Sequence, residues 1–182
     1  MAEVILSNRM QALTDMVTPG TVITDVGCDH GFVSVYLVQK GISPRVIAMD
    51  VRSGPLEHAR EHIREYGLED RIETRLSDGL HSLKTGEAAG MICAGMGGPL
   101  MEKILTEGRE QAKEFRELIL QPQSEIPHFR TFLMEEATTF GLSLDITYAT
   151  LSAVTSASSF AIFFASLAFA SKTVNLKIRV SV

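Results

Sequence analysis

The chain has no tryptophan, only two cysteines and no excess of positive charge. A formal net charge of −5 argues against a broadly basic surface for nucleic acid, so such binding would need a local basic face. The two cysteines, Cys28 and Cys93, lack metal-ligand spacing and fit reduced thiols of a cytoplasmic protein better than a disulfide. The amino terminus has no basic segment before a long apolar core, so no secretory signal is predicted.

Charged side chains are also missing from residues 146–171, which are rich in alanine, serine, threonine and phenylalanine. The segment is long enough for a membrane-spanning helix, which is the alternative interpretation. Its many serines and threonines disfavour membrane insertion, whereas Thr, Tyr, Val, Ile and Phe favour strands. We therefore expect no membrane association and a C-terminal β-hairpin, with strands at 143–152 and 159–171 and a loop of small residues at 153–158.

The rest of the chain alternates apolar strands with helical patterns. With 182 residues, 45% of them hydrophobic, the chain can form one domain with a sizeable core. An N-terminal amphipathic helix is expected at about 7–18, where Ser7 can cap its first turn. Predicted strands then cover 22–26, 46–50, 72–76, 91–94 and 118–120, and the predicted helices between and after them cover 32–40, 55–66, 99–106 and 127–140.

This alternation predicts a doubly wound, Rossmann-like α/β domain, in which helices cover both faces of a parallel sheet. We assign residues 1–171 to this single domain and residues 172–182 to a tail.

The most specific motif is D-V-G-C-D-H-G at residues 25–31, where the first strand turns into a helix. Because Gly27 has no Cβ, a ligand can approach the backbone closely, and the following helix presents unpaired N–H groups. The full G-x-G-x-x-G spacing is absent, which disfavours a dinucleotide site. The motif resembles the first motif of the class I S-adenosylmethionine (SAM) methyltransferases, whose loop holds the amino-acid part of SAM.

Two further loops follow the second and third strands, on the edge of the sheet where open α/β folds bind ligands. Asp50 closes the second strand, about 20 residues after the glycine turn, where a carboxylate can accept both ribose hydroxyls. Asp78, Gly79 and Leu80 follow the third strand. There the aspartate can meet an adenine amine and the leucine can pack on the ring, although Asp-Gly is also a common turn without a ligand.

The loops after the fourth and fifth strands are rich in glycine and glutamine. Residues 94–99 read A-G-M-G-G-P, and three glycines at a cleft mouth would admit a flat ligand close to backbone amides. Residues 121–124 read Q-P-Q-S, which suits either hydrogen bonding to a base edge or capping of the next helix.

Six segments of the chain resemble the bacterial tRNA (adenine22-N1)-methyltransferase family. In chain order they are L-S-N-R-M, D-V-G-C-D-H-G, D-V-R-S-G-P-L, R-L-S-D-G-L, A-G-M-G-G and L-I-L-Q-P-Q. The resemblance covers about residues 5–140. It implies an enzyme that transfers a methyl group from SAM to N1 of adenine 22 in the D-arm region of tRNA. It departs at the carboxyl end, where we expect the family's helical, coiled-coil-like domain to be absent.

The resemblance also implies roles for individual residues, and it implies no metal. SAM would be held by Asp25, Gly27, Cys28, Gly31, Asp50, Val51, Asp78, Gly79, Ala94, Gly95 and Met96. The tRNA would contact Arg9, Gly97, Gly98 and Gln121. Arg9 would meet phosphate, and a solvated arginine is the equal alternative.

Asp29 is the candidate catalytic residue. N1 methylation makes the adenine ring cationic, so a nearby carboxylate would stabilise that charge or accept a proton from N6. The equal alternative is a carboxylate that only stabilises the helix dipole, and His30 is a weaker catalytic candidate. Two other classes of function stay open: a SAM- or tRNA-binding module without turnover, and a methyltransferase for small molecules.

Overall fold

The computed structural model describes residues 3–140, 143–150, 153–154 and 175–181. The helices are α1 (Asn8–Thr14), α2 (Phe32–Gln39), α3 (Ser53–Glu65), α4 (Gly98–Glu107), α5 (Arg109–Ala112) and α6 (Ile126–Phe140). The strands are β1 (Ile23–Val26), β2 (Val46–Asp50), β3 (Ile72–Leu76), β4 (Gly90–Met96), β5 (Glu117–Pro122), β6 (Ser143–Thr150), β7 (Ala153–Val154) and β8 (Asn175–Ser181).

The described strands form one sheet in the order β3-β2-β1-β4-β5-β8-β6-β7. Strands β1 to β5 are parallel, and the strand order reverses between β1 and β4, which are direct neighbours. Strand β8 pairs antiparallel with both β5 and β6. A reversal of this kind opens a crevice at the carboxyl ends of the strands, and it fixes where a ligand can bind.

The sheet separates two cores, one on each face, and alternate residues of β2 enter them in turn. In β2, Val46 and Ala48 pack in the core with α1, α2 and α3, while Ile47 and Met49 pack with α4 and α6. All four side chains are fully buried. Because both faces of the sheet are covered at β2, its first four residues form a continuous apolar run instead of alternating with polar residues.

The predicted doubly wound α/β fold is confirmed for the five parallel strands. Helix α1 is shorter than its predicted span of 7–18, although the Ser7 side chain does cap it by accepting from the Met10 N–H at 3.4 Å. Strand β4 runs further than predicted, because the first residues of the glycine loop continue it with a register shift between Ala94 and Met96.

The C-terminal prediction was partly wrong. Strand β6 matches the first predicted strand, but Ala153–Val154 form β7 where the loop 153–158 was expected to begin. The predicted tail, 172–182, contains β8, whose alternating N-L-K-I-R-V-S pattern is a strand signal. The second predicted strand, 159–171, lies outside the described residues, so the predicted hairpin stays a prediction. None of the helices in the described ranges has both the length and the apolarity needed to cross a membrane.

Candidate active site

A cleft of about 480 Å³ opens at the carboxyl edge of the parallel strands, where the strand order reverses. Every predicted cofactor residue except Gly31 lines this cleft, as do Asp29 and Arg9. Gly31, Gly97, Gly98 and Gln121 do not line it. The cleft therefore collects residues from the ends of all five parallel strands, from α4 and from the N-terminal helix.

The loop after β1 is held against β2 by its backbone. The N–H groups of Gly27 and Cys28 both donate to the Met49 carbonyl oxygen, at 2.8 and 3.0 Å. Gly27 has a φ of +75°, and a Cβ built there would lie 2.1 Å from Met96 Cε. The positive φ favours glycine here, and any side chain at this position would displace the end of the Met96 side chain.

Asp29 is a non-glycine residue in the left-handed region, with a φ of +51°. Aspartate tolerates this conformation better than most residues, and such strain is common at functional sites. The Asp29 side chain is 62% exposed and lies 3.7 Å from His30 Nε2. Its carboxylate is thus presented at the rim of the cleft rather than buried in it.

Asp25 lies at the floor of the cleft and is buried. Burial, reinforced by repulsion from Asp50, raises the pKa of the Asp25 carboxyl from 3.8 to about 6, although the Ser34 hydroxyl opposes the rise. That hydroxyl donates to Asp25 Oδ2 at 2.7 Å. A cationic ligand in the cleft would favour the ionised form of this carboxyl.

The Asp50 carboxylate at the end of β2 is buried and oriented by two backbone groups. The Arg52 N–H donates to Oδ1 at 2.9 Å, and the Asp29 N–H donates to Oδ2 at 3.4 Å. Each carboxylate oxygen can accept more than one hydrogen bond, so both oxygens keep capacity for a ligand hydroxyl. The arrangement fits a ribose diol, as the position of Asp50 in the sequence predicts.

The loop after β3 forms the opposite end of the cleft. Asp78 pairs with Lys103 Nζ at 3.5 Å. Gly79 has a φ of +55°, and a Cβ at this position would crowd the Ile104 side chain. Leu80, which the sequence suggested could pack on a ligand ring, does not line the cleft. Leu80 is 1% exposed and packs in the core of the α4 face, against Gly108.

The apolar walls come instead from residues that the sequence analysis did not select. Leu100 and Ile104 line the cleft from α4, and their i, i+4 spacing puts them on one side of that helix. Leu100 is 45% exposed, which is unusual for a leucine next to a core. The other lining residues missed were Met10, Leu13, Val26, Val33, Arg52, Ser77, Ile92 and Gln123.

Glycines 31, 97 and 98 serve packing. A Cβ on Gly31 would lie 3.1 Å from Ala59 Cβ, and one on Gly97 would lie 2.9 Å from Ser124 Oγ. A Cβ on Gly98 would meet the Ser124 carbonyl oxygen at 3.0 Å. These glycines allow close packing against neighbouring side chains and backbone, which explains them without a ligand.

Gln121 lies behind the cleft, where it is fully buried on β5. Its Oε1 accepts from Arg9 Nη1 at 2.6 Å, whereas its Nε2 has no partner among the described residues. Gln121 thus fixes a guanidinium that itself lines the cleft. Gln123, two residues on, lines the cleft directly beside Gly95.

Both cysteines are free and buried. Burial raises the pKa of the Cys28 thiol far above its usual range and that of Cys93 to about 12, so neither provides a thiolate nucleophile at neutral pH. Within the described ranges, no three histidine, cysteine or carboxylate residues gather closely enough to hold a metal ion.

Comparison with known proteins gives consistent matches. A tRNA (adenine(22)-N(1))-methyltransferase of Bacillus subtilis is 35% identical over 136 residues, which is 75% of this chain and 57% of that protein. The solved structure of the B. subtilis m1A22 tRNA methyltransferase superimposes with a TM-score of 0.77 at 27% identity, covering 99% of this chain and 68% of that one.

A Streptococcus pneumoniae structure, described as a candidate tRNA (m1A22) methyltransferase in complex with S-adenosyl-L-methionine, also has a TM-score of 0.77. It is 26% identical and covers 97% of this chain and 74% of that one. The chain spans about half the length of the curated relatives it matches. The family model for the methyltransferase domain matches residues 6–142, most of the chain and all the loops of the cleft. The chain belongs to this methyltransferase domain family.

Proposed function

We propose that this chain is the catalytic domain of a SAM-dependent enzyme that methylates N1 of adenine 22 in tRNA. The observation that carries the proposal is the row of carboxylates from three consecutive strand ends, Asp25, Asp50 and Asp78, along one cleft. The B. subtilis relative, 35% identical, is named for this reaction, and the S. pneumoniae neighbour was solved with SAM. A cytoplasmic location follows from tRNA as the substrate.

The cleft fits the three parts of SAM. Asp50 accepts the ribose hydroxyls, because two backbone N–H groups already orient its oxygens. Asp78 accepts the adenine amine while Ile104 covers the ring face. The amino-acid part lies along Gly27, close to the buried Asp25 carboxyl, which favours a cationic ligand.

Methyl transfer requires the protein mainly to position the two reactants. SAM, when bound, supplies a methyl group that is already activated for transfer, and adenine N1 has a free lone pair at neutral pH. No general base is needed to create the nucleophile, so in-line orientation provides most of the rate. The exposed Asp29 carboxylate stabilises the positive charge that develops on the ring, or accepts a proton from N6.

The RNA must be locally opened before reaction. Adenine N1 lies on the Watson–Crick edge, so the target base has to be unpaired or flipped into the cleft. Arg9 lines the cleft opposite the SAM loop, and its guanidinium is held by Gln121. This arginine contacts phosphate or the base, and the net charge of −5 gives the chain no broad electrostatic attraction for RNA.

Methylation of an unmodified tRNA transcript tests the proposal. N1-methyladenine blocks Watson–Crick pairing, so reverse transcription of the treated tRNA should stop at adenine 22. A transcript with guanine at that position is the matched control and should give no stop. SAM binding without methylation would instead identify a binding module, and methylation of a small molecule alone would identify the other alternative.

A further inference from the structure

Four ring side chains gather on the surface beside the cleft: His30, Phe32, His58 and His62. The Phe32 and His62 rings have centroids 4.5 Å apart, and those of His30 and His58 are 5.2 Å apart. Both pairs are close to parallel, with interplanar angles of 29°. His30 links the pairs, because its centroid lies 6.0 Å from both Phe32 and His62.

The cluster is both supported and exposed. His62 Nδ1 donates to the His30 carbonyl oxygen at 2.9 Å, which joins α3 to the loop after β1. The side chains of His30 and His58 are 45% and 58% exposed, and Phe32 is 36% exposed. None of the four residues belongs to either core cluster.

The cluster adjoins the reaction site. His30 directly follows Asp29, which lines the cleft, and their side chains lie 3.7 Å apart. Arg52, another lining residue, precedes the helix that carries His58. An RNA strand that delivers a base past Asp29 therefore has ring surface within reach of the neighbouring nucleotides.

The charge around the rings favours bases over phosphate as the bound group. Asp29 faces His30, and Glu61 faces His58 at 3.5 Å. These carboxylates repel a phosphate but do not oppose stacking on a ring face. When the target adenine leaves the helix for reaction at N1, the adjacent base loses its stacking partner. In RNA-binding proteins, aromatic side chains replace such lost stacking.

We propose that His30, Phe32, His58 and His62 form a stacking platform for an unpaired nucleobase next to the target adenine. The role of the platform in catalysis rests on the proposed function, but its binding of a single strand does not. The ligand is a nucleobase in a single-stranded RNA, and the recognition is by stacking rather than by sequence.

Binding of a short oligoadenylate that carries a fluorescent adenine analogue tests the platform. His58→Ala should weaken binding about tenfold, within the range for loss of one base–ring stack. His58→Phe keeps an aromatic ring and removes only the ring nitrogens, so it should retain most of the affinity. His128→Ala, an exposed histidine on α6 on the other side of the sheet, is the matched control and should bind like the wild type.

The outcomes separate the platform from the proposed function. The platform is overturned if the wild-type chain does not bind the oligoadenylate, if His58→Ala binds equally well, or if His58→Phe loses as much affinity as His58→Ala. Ring-dependent binding by a chain that does not methylate tRNA would support the platform and contradict the proposed function. SAM affinity, measured in parallel, should be unchanged in all three variants, which checks that they fold.

Discussion

The two halves of the cleft are built on different physical principles. The half formed after β1, β2 and β3 presents carboxylates that neighbouring hydrogen bonds orient: Asp25 by Ser34, and Asp50 by two backbone N–H groups. The half formed by β4, β5 and α1 presents glycine backbone and long side chains, with Arg9 resting on one hydrogen bond to Gln121. Under the proposed function, the first half holds the cationic cofactor, whose binding groups are already oriented. The second half receives the target nucleotide of the tRNA.

The largest effect is expected at Gly27, in the first half. Gly27→Val should abolish measurable SAM binding, because its φ of +75° strains a β-branched residue and its side chain would enter the floor of the cleft. Gly41→Val is the matched control, since Gly41 has a φ of +69° but nothing within 4 Å of its Cβ position. Both variants should lose thermal stability, and only Gly27→Val should lose binding in calorimetry. Equal binding by the two would contradict the assignment of the loop.

Asp50→Ala should weaken SAM binding by about 1–3 kcal/mol, the cost of leaving a partner of a charged hydrogen bond unsatisfied. Asp70→Ala removes an exposed carboxylate away from the cleft and serves as the control. Calorimetric titration of both variants measures the difference. An Asp50→Ala variant with the wild-type affinity would mean that the ribose lies elsewhere.

Asp25 should make SAM binding depend on pH. Because the pKa of this carboxyl is raised to about 6, it becomes protonated as the pH falls through 6, and affinity for a cationic ligand should fall by up to about tenfold per pH unit. Asp25→Asn should bind more weakly and without this dependence.

The same raised pKa affects the free energy of unfolding. The protonated carboxyl favours the folded state below its unfolded pKa near 3.8, and this contribution is lost as the pH rises through about 6. Without ligand, Asp25→Asn should therefore gain thermal stability relative to the wild type between pH 4 and 7. A difference in stability between the two proteins that stays constant over that range would show that folding does not raise the pKa of Asp25.

Asp29 lies between the halves, and its variant separates binding from chemistry. Asn tolerates the left-handed backbone of this position, so Asp29→Asn removes the charge while it keeps the loop. We expect the methylation rate to fall more than SAM affinity does, because the carboxylate acts on charge that develops in the transition state. Equal losses in rate and affinity would make Asp29 a loop-shaping residue.

The smallest effect is expected in the second half, at Arg9. Arg9→Gln should raise the KM for tRNA modestly and leave SAM affinity unchanged. The slope of log tRNA affinity against log salt concentration should fall by about one, as expected for the loss of one phosphate contact. Arg64→Gln, an exposed arginine on α3, is the control. A change in SAM affinity would mean that Arg9 contributes to cofactor binding, and the two halves of the cleft would then not have separate ligands.

The sequence allowed prediction of the first half more fully than the second, for a physical reason. Carboxylates at strand ends, such as Asp50, are positioned by local backbone that sequence spacing can reveal. The burial of Gln121 and its bond to Arg9 depend on contacts 112 residues apart. The burial of Leu80 in the core follows a left-handed Gly79, a backbone conformation that sequence spacing does not reveal. The pairing of β8 with β5 is likewise a long-range contact, although the alternating pattern of β8 was visible.

Calorimetric titration of SAM into the full wild-type chain shows whether this cleft is a SAM site. We expect saturable binding at one site per chain, competed by S-adenosylhomocysteine and weakened in Asp50→Ala. An absence of SAM binding by the folded wild-type protein would contradict the claim and, with it, the proposed methyl transfer to tRNA.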